Sequence, residues 1–178
     1  MSSNYILIHG SFGNPEENWF PWLKQQLDQV MIPAFPTPDD QSLQSWSKAF
    51  EPYEQYINKD TIFIGHSLGP AFILSLLERD IVPVQGCIFV SGFLGLLNNA
   101  DFDQINETFT TKSFYWHAIK RHCPRFIHMH SNNDPYVPIA KAYEFQERTG
   151  GNLHIIKNAG HFNAEAGYTQ FPRLLEII

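Results

Sequence analysis

The 178-residue chain carries 12 Lys+Arg against 18 Asp+Glu, a formal net charge of -6, so it offers no basic surface for a phosphate backbone and nucleic acid is not expected as a partner. Its length suits one compact domain over residues 1–178 with a substantial core, and not two domains. Charged residues make up only 17% and aromatics 15%, where about 25% charged is usual for soluble domains, and this surplus of rings over charge needs a structural reason.

The amino terminus has no cationic stretch, and the apolar run Tyr5–Ile8 is too short for a signal or membrane-spanning segment. A soluble, cytoplasmic chain without membrane insertion is expected. Tyr5–His9 is the first of a series of short β-rich runs that continues with Ala34–Phe35, Thr61–Gly65, Cys87–Ser91, Phe126–His130 and Leu153–Ile156. Helical segments separate them. Trp22, Leu23, Leu27 and Val30 share the first helix, for which Asn14 or Asn18 could serve as cap. Leu43, Trp46, Phe50, Tyr53 and Ile57 draw one apolar stripe that Pro52 should kink or divide, and Phe72, Ile73, Leu76 and Leu77 mark a third helix.

From Phe93 to Pro124 the pattern breaks at Asn98, Asn99 and Asp101–Asp103, as expected of an irregular insertion. Beyond it, Ile139, Ala142 and Tyr143 form one helical face, and Tyr168, Phe171, Leu174, Leu175 and Ile178 another. Alternation of this kind predicts an α/β fold: a three-layer, doubly wound sheet of about six parallel strands. Cys87 and Cys123 have neither disulfide-framework nor zinc-site spacing and are read as reduced thiols, Cys87 packing within its strand.

Gly65-His66-Ser67-Leu68-Gly69 is a G-x-S-x-G pentapeptide between a strand and a helix, the context in which a tight, strained turn presents a nucleophilic serine. Chance supplies about 0.06 such pentapeptides in a chain of this length, so an ordinary Gly-Ser turn is the weaker reading. A serine hydroxyl needs a base and an orienting acid, expected in the order Ser, Asp/Glu, His. Asp134 follows the run Phe126–His130 and His161 follows Leu153–Ile156. Carboxyl-end loops of a parallel sheet converge on one edge, which would bring Ser67, Asp134 and His161 together.

Asp134 before Pro135 could instead merely open a turn and cap the next helix. Asp101, Asp103 and Glu165 are the substitute acids, but none directly follows a strand. His128, His130 and His154 lie within strands, and His117 and His122 within the insertion, so none fits the base as His161 does. His128-x-His130 before Asp134 resembles an H-x-H-x-D metal site, except that Asn132 stands where the ligand Asp should be, and no metal is expected. In His9-Gly10-Ser11-Phe12-Gly13 the N–H of Ser11 or of Phe12 could join that of Leu68 as an oxyanion hole, with His9 holding the loop by a hydrogen bond.

Together with Trp19-Phe20-Pro21-Trp22-Leu23-Lys24, Asp134-Pro135-Tyr136-Val137-Pro138 and Gly160-His161-Phe162-Asn163, these motifs resemble a small α/β-hydrolase, and more narrowly the retinoblastoma-binding-protein-nine/YdeN family of compact serine hydrolases. The resemblance runs over essentially the whole chain. It implies a minimal six-stranded core with no separate cap domain, a triad of Ser67, Asp134 and His161, and hydrolysis of an ester or small amide. Peptidase activity is linked to some members.

The expected chemistry is acyl transfer to water at Ser67, with no metal or organic cofactor, and with activity falling on acidification through about pH 6 to 7. A small-molecule or short-peptide substrate is expected, in a pocket built from Phe12, Trp19, Phe93, Tyr136 and Phe162 among the surplus aromatics. Two alternatives remain: a catalytically idle scaffold acting as a protein-binding module, and a serine aminopeptidase-like activity, for which Asp101–Asp103 is the candidate ammonium site.

Overall fold

The computed structural model describes residues 3–79 and 81–178. Its elements, in chain order, are β1 (Asn4–Ile8), α1 (Phe20–Gln26), β2 (Val30–Met31), α2 (Leu43–Glu54), β3 (Thr61–His66), α3 (Gly69–Leu77), β4 (Gly86–Val90), α4 (Ala100–Thr110), α5 (Trp116–His122), β5 (Phe126–Ser131), α6 (Ile139–Thr149), β6 (Asn152–Ile156) and α7 (Pro172–Leu175). The strands form one six-stranded sheet in the order β2-β1-β3-β4-β5-β6, and every neighbouring pair is parallel.

Both faces are covered because alternate side chains of each strand enter different cores. Ile6, Ile8, Phe63 and Phe89 point to one face, where they pack with Trp46 and Phe50 of α2, Leu74 of α3, Phe109 of α4, Ile119 of α5 and Phe145 of α6. Tyr5, Leu7, Ile64 and Val90 point to the other, under Phe20 and Leu23 of α1, Leu174 of α7, and Phe162 and Phe171 from the loops before it. Cys87 and Cys123 are free, buried thiols whose sulfurs lie 3.4 Å apart.

Several sequence expectations are corrected. The second strand is Val30–Met31 and not Ala34–Phe35, because Pro33 and Pro36 flank the latter and remove ladder donors. The interval from Phe93 to Pro124 is not irregular: it holds α4 and α5, and Asn99 caps α4 by accepting from Phe102 N–H at 3.3 Å. Neither Asn14 nor Asn18 caps α1, which begins after Trp19 without a side-chain cap. Pro52 falls in the last turn of α2 and does not divide it. The final helical face shrinks to α7, with Pro172 in its first turn, preceded by a short 3-10 turn at Ala164–Ala166.

Strand order reverses direction between β1 and β3, so the loops that leave their carboxyl ends diverge and open a crevice. Gly10 and Ser11 follow β1, and Ser67 follows β3. Among the described residues no helix is long and apolar enough to cross a membrane.

Candidate active site

Ser67 has φ +58, a left-handed conformation forced on a non-glycine residue at the sharp turn from β3 into α3. Its N–H still donates to Val90 O at 2.9 Å, which ties the turn to β4. The flanking glycines make the turn fit. A Cβ on Gly65 would lie 2.7 Å from Pro70 Cδ, and one on Gly69 only 2.3 Å from Ile8 O. Gly10 brings the first loop against the serine, since a Cβ there would lie 2.6 Å from Ser67 Cβ.

His161 and Asp134 meet at the ends of β6 and β5. His161 Nδ1–H donates to the Asp134 carboxylate, 2.8 Å from Oδ2 and 3.0 Å from Oδ1. The carboxylate also accepts from Ser91 Oγ–H at 2.8 Å and from the Tyr136 and Val137 amides at 3.0 Å each. Burial alone would push this carboxyl up, but the His161 hydrogen bond and charge, with the two amides, outweigh it and hold Asp134 below the usual carboxylate range. The turn-forming role weighed for Asp134 and its pairing with His161 are therefore both satisfied by one side chain.

The loop that carries His161 is fixed from beneath. His66 Nε2–H donates to His161 O at 2.8 Å, and Trp19 Nε1–H donates to Phe162 O at 3.0 Å. Burial, with the nearby His161 charge, pushes His66 down to about 3, so it stays neutral and adds no second cation beside His161. His9 donates from Nδ1 to Gly10 O at 2.8 Å and accepts at Nε2 from Phe35 N–H at 3.1 Å. Both of its nitrogens are spent on holding the loop, as expected. His128 Nε2 meets Thr149 Oγ1 at 2.8 Å and His130 Nε2 donates to Val137 O at 3.0 Å, so both serve packing.

Ser67 and His161 line one cavity of about 250 Å³, together with Ser11, Phe12, Phe93 and Tyr136. Trp19 and Phe162 do not line it. Both are fully buried against Phe171 under the His161 loop, Trp19 edge-on and Phe162 stacked, so these two expected pocket residues are structural supports instead. Leu68 buries its side chain in the core at the start of α3. Of the two amides considered beside it, that of Phe12 is already committed, donating to Thr37 Oγ1 at 2.6 Å.

Three residues around the cavity escaped the sequence reading. Ser91, treated as the end of a strand, supports Asp134. Glu17 and Asn106 line the cavity, and burial pushes the Glu17 carboxyl up. Asp101 and Asp103 are not at the cavity: Asp103 accepts from the Leu97 and Asn99 amides at 2.6 and 3.1 Å, bracing the entry to α4. A polar residue directly after the strand beside the nucleophile was the available signal for Ser91, whereas neither Glu17 nor Asn106 sits in a motif.

A family model described as serine hydrolase matches residues 5–178. The Bacillus subtilis (strain 168) protein YdeN is 28% identical over 184 residues, covering 100% of this chain and 95% of that protein. Serine hydrolase RBBP9 of Rattus norvegicus is 26% identical over 182 residues, covering 97% and 92%. The crystal structure of the ydeN gene product from B. subtilis superposes with a TM-score of 0.91 at 27% identity, over 99% of this chain and 96% of that one.

Proposed function

The chain belongs to the serine hydrolase family, and from that premise we propose that it hydrolyses small esters or amides through an acyl-enzyme formed on Ser67. The observation that carries this reading is the strained Ser67 opening onto the same cavity as a histidine whose Nδ1–H is held by a buried carboxylate. With that proton fixed on Nδ1, His161 keeps the Nε2 lone pair free to act as base.

His161 Nε2 takes the Ser67 proton as Oγ attacks the carbonyl carbon. The carbonyl electrons move onto oxygen, which the amides of Leu68 and Ser11 stabilise at the first turn of α3. Collapse expels the alcohol or amine, protonated by His161, and water repeats the sequence to release the acid. Asp134 stays ionised throughout and stabilises the imidazolium. The cavity of about 250 Å³ falls below the roughly 300 to 1,000 Å³ usual for ligand pockets, and its Phe93, Leu97 and Phe102 walls favour a small acyl group with apolar character.

Glu17 supports a second reading. It lines a cavity that has no Lys or Arg among its described lining residues, which favours an amine-bearing substrate over an acid and so an aminopeptidase-like preference. One experiment tests both. A fluorophosphonate probe should label the protein, and Ser67→Ala should abolish labelling and lower turnover by about a millionfold. Short p-nitrophenyl esters and aminoacyl amides then compete as substrates. A rate advantage for free-amine substrates that Glu17→Gln removes would select the second reading. Absence of labelling in folded protein, or more than a tenth of the activity left in Ser67→Ala, would reject hydrolysis at Ser67 and leave a binding scaffold.

A further inference from the structure

One stretch of the cavity wall is polar for a reason the triad chemistry does not use. Asn106, on α4, is 2% exposed and lines the cavity beside Ser11 and Ser67. Its amide is oriented by hydrogen bonds that can run in only one direction. Ile105 O can only accept, so the Gln41 atom 3.2 Å from it is the Nε2 donor, and Gln41 Oε1 then accepts from Thr37 Oγ1–H, whose oxygen also accepts from the Phe12 N–H. Gln41 Nε2 also lies 2.8 Å from Asn106 Oδ1 and 3.0 Å from Ser11 Oγ, its two protons shared among the three acceptors. Ser11 Oγ–H in turn donates to Asn106 Oδ1 at 2.6 Å. Asn106 Oδ1 therefore accepts on the side of Ser11 and Gln41, and its Nδ2 donor is left over.

Among the described residues Nδ2 has no hydrogen-bond partner, yet no buried side-chain nitrogen or oxygen there lacks one. The small exposed surface of Asn106 therefore includes Nδ2, and the residue lines the cavity. A hydrocarbon group that displaces water from this donor leaves it unpaired, whereas a group that accepts its hydrogen bond does not. We propose that Asn106 is a specificity-determining residue whose Nδ2 donates to a second oxygen of the substrate, a carbonyl or ether oxygen distinct from the scissile carbonyl. Acyl groups that bear such an oxygen are preferred to their hydrocarbon isosteres. This rests on hydrolysis at Ser67 and refines the acyl group to one that is apolar along Phe93 and Phe102 but carries an acceptor where α4 meets the Ser11 loop.

Matched p-nitrophenyl esters test it: methoxyacetate against butyrate, and levulinate against isocaproate. Each ratio of kcat/KM is divided by the ratio of the uncatalysed rates. In the unaltered protein at least one corrected ratio should exceed about ten. Asn106→Asp keeps an oxygen for Ser11 and Gln41 but loses the donor, and Asn106→Leu loses both; each should bring that ratio to within about twofold of one. Corrected ratios near one in the unaltered protein overturn the proposal. So does a ratio that survives the substitutions, or an equal loss on both members of a pair, which assigns Asn106 to bracing the Ser11 loop alone. Fluorophosphonate labelling of the same preparations separates the two levels: no labelling rejects hydrolysis at Ser67, while labelling with an unmoved ratio rejects only the role of Asn106.

Discussion

Asp134 accepts from four donors, and how they divide between its oxygens decides what a substitution does. Oδ1 takes the Tyr136 and Val137 amides, while the closer His161 contact and Ser91 Oγ fall on Oδ2. An asparagine would keep its oxygen on the two amides and turn Nδ2 toward His161, forcing the proton onto the histidine Nε2. Asp134→Asn should therefore fold normally but lose about ten thousandfold in kcat. Ser91→Ala removes one of the four donors, leaves the tautomer alone and should lower kcat by about five- to tenfold with KM nearly unchanged. Steady-state kinetics on one ester decides both; equal losses in the two variants would remove Asp134 from its role in setting the tautomer. Ser67, Asp134 and His161 were legible because strained turns and strand ends leave motifs of glycine, proline and asparagine. Ser91, Glu17 and Asn106 were not, since each is an ordinary polar residue whose meaning depends on which chain segment folds against it. Trp19 and Phe162 misled for the converse reason: an aromatic next to a motif looks the same whether it lines a cavity or supports the loop from below.

Elements were legible where apolar pattern and burial coincide, as in β1, β3, β4 and β5, whose described residues are buried throughout. β2 pairs through only two residues at the sheet edge, too little to leave a pattern. α4 was hidden because its buried face mixes Phe109 with Asn106 and Thr110, so the cavity-facing amide interrupts the hydrophobic period that would have revealed the helix. The tightest constraint between elements is the seat of α3 on β1 at Gly69. A Cβ there would lie 2.3 Å from Ile8 O, a backbone atom that cannot step aside. Gly69→Ala should destabilise the fold by about 3 kcal/mol. By shifting the Leu68 amide away from Ser11 it should also cost roughly a hundredfold in kcat/KM. Gly150→Ala is the contrast. It ends α6 at φ +77 with nothing within 4 Å of the added carbon, so only backbone strain of about 1 kcal/mol is expected, with kcat unchanged. Urea midpoints and ester kinetics on both variants test the pair; an active, fully stable Gly69→Ala would show that α3 can shift without disturbing the site.

At the scale of the whole molecule, the surplus of rings is spent mainly on the two cores. Phe35 stacks on Trp46 at 4.5 Å between centroids, with Phe72 and Phe109 packed edge-on around them. Phe12, Phe93, Phe102 and Tyr136 remain for the cavity. The same dense packing encloses histidines as neutral groups, and that ties stability to pH. Burial holds His66 down to about 3 and His128 down to about 4. In the unfolded chain both titrate near pH 6.5. Below that value the unfolded state binds protons that the folded state refuses, so stability falls as pH falls. The loss continues until about pH 4 for His128 and about pH 3 for His66. Each of these two contributes a slope of about 1.4 kcal/mol per pH unit, and His9 and His130, which burial also holds below the ordinary histidine value, add to it in the same direction. Asp134 acts in the same direction at lower pH, because its depressed carboxyl stabilises the fold only while ionised. Urea unfolding between pH 7 and 4.5 should show a midpoint falling steeply below about 6.5, together with uptake of at least about two protons on unfolding near pH 5. His128→Gln, which keeps a side-chain amide for Thr149, should reduce the slope by up to about 1.4 kcal/mol per pH unit without changing its sign. A flat midpoint across this range would mean that the buried histidines titrate as freely in the folded protein as in the unfolded chain.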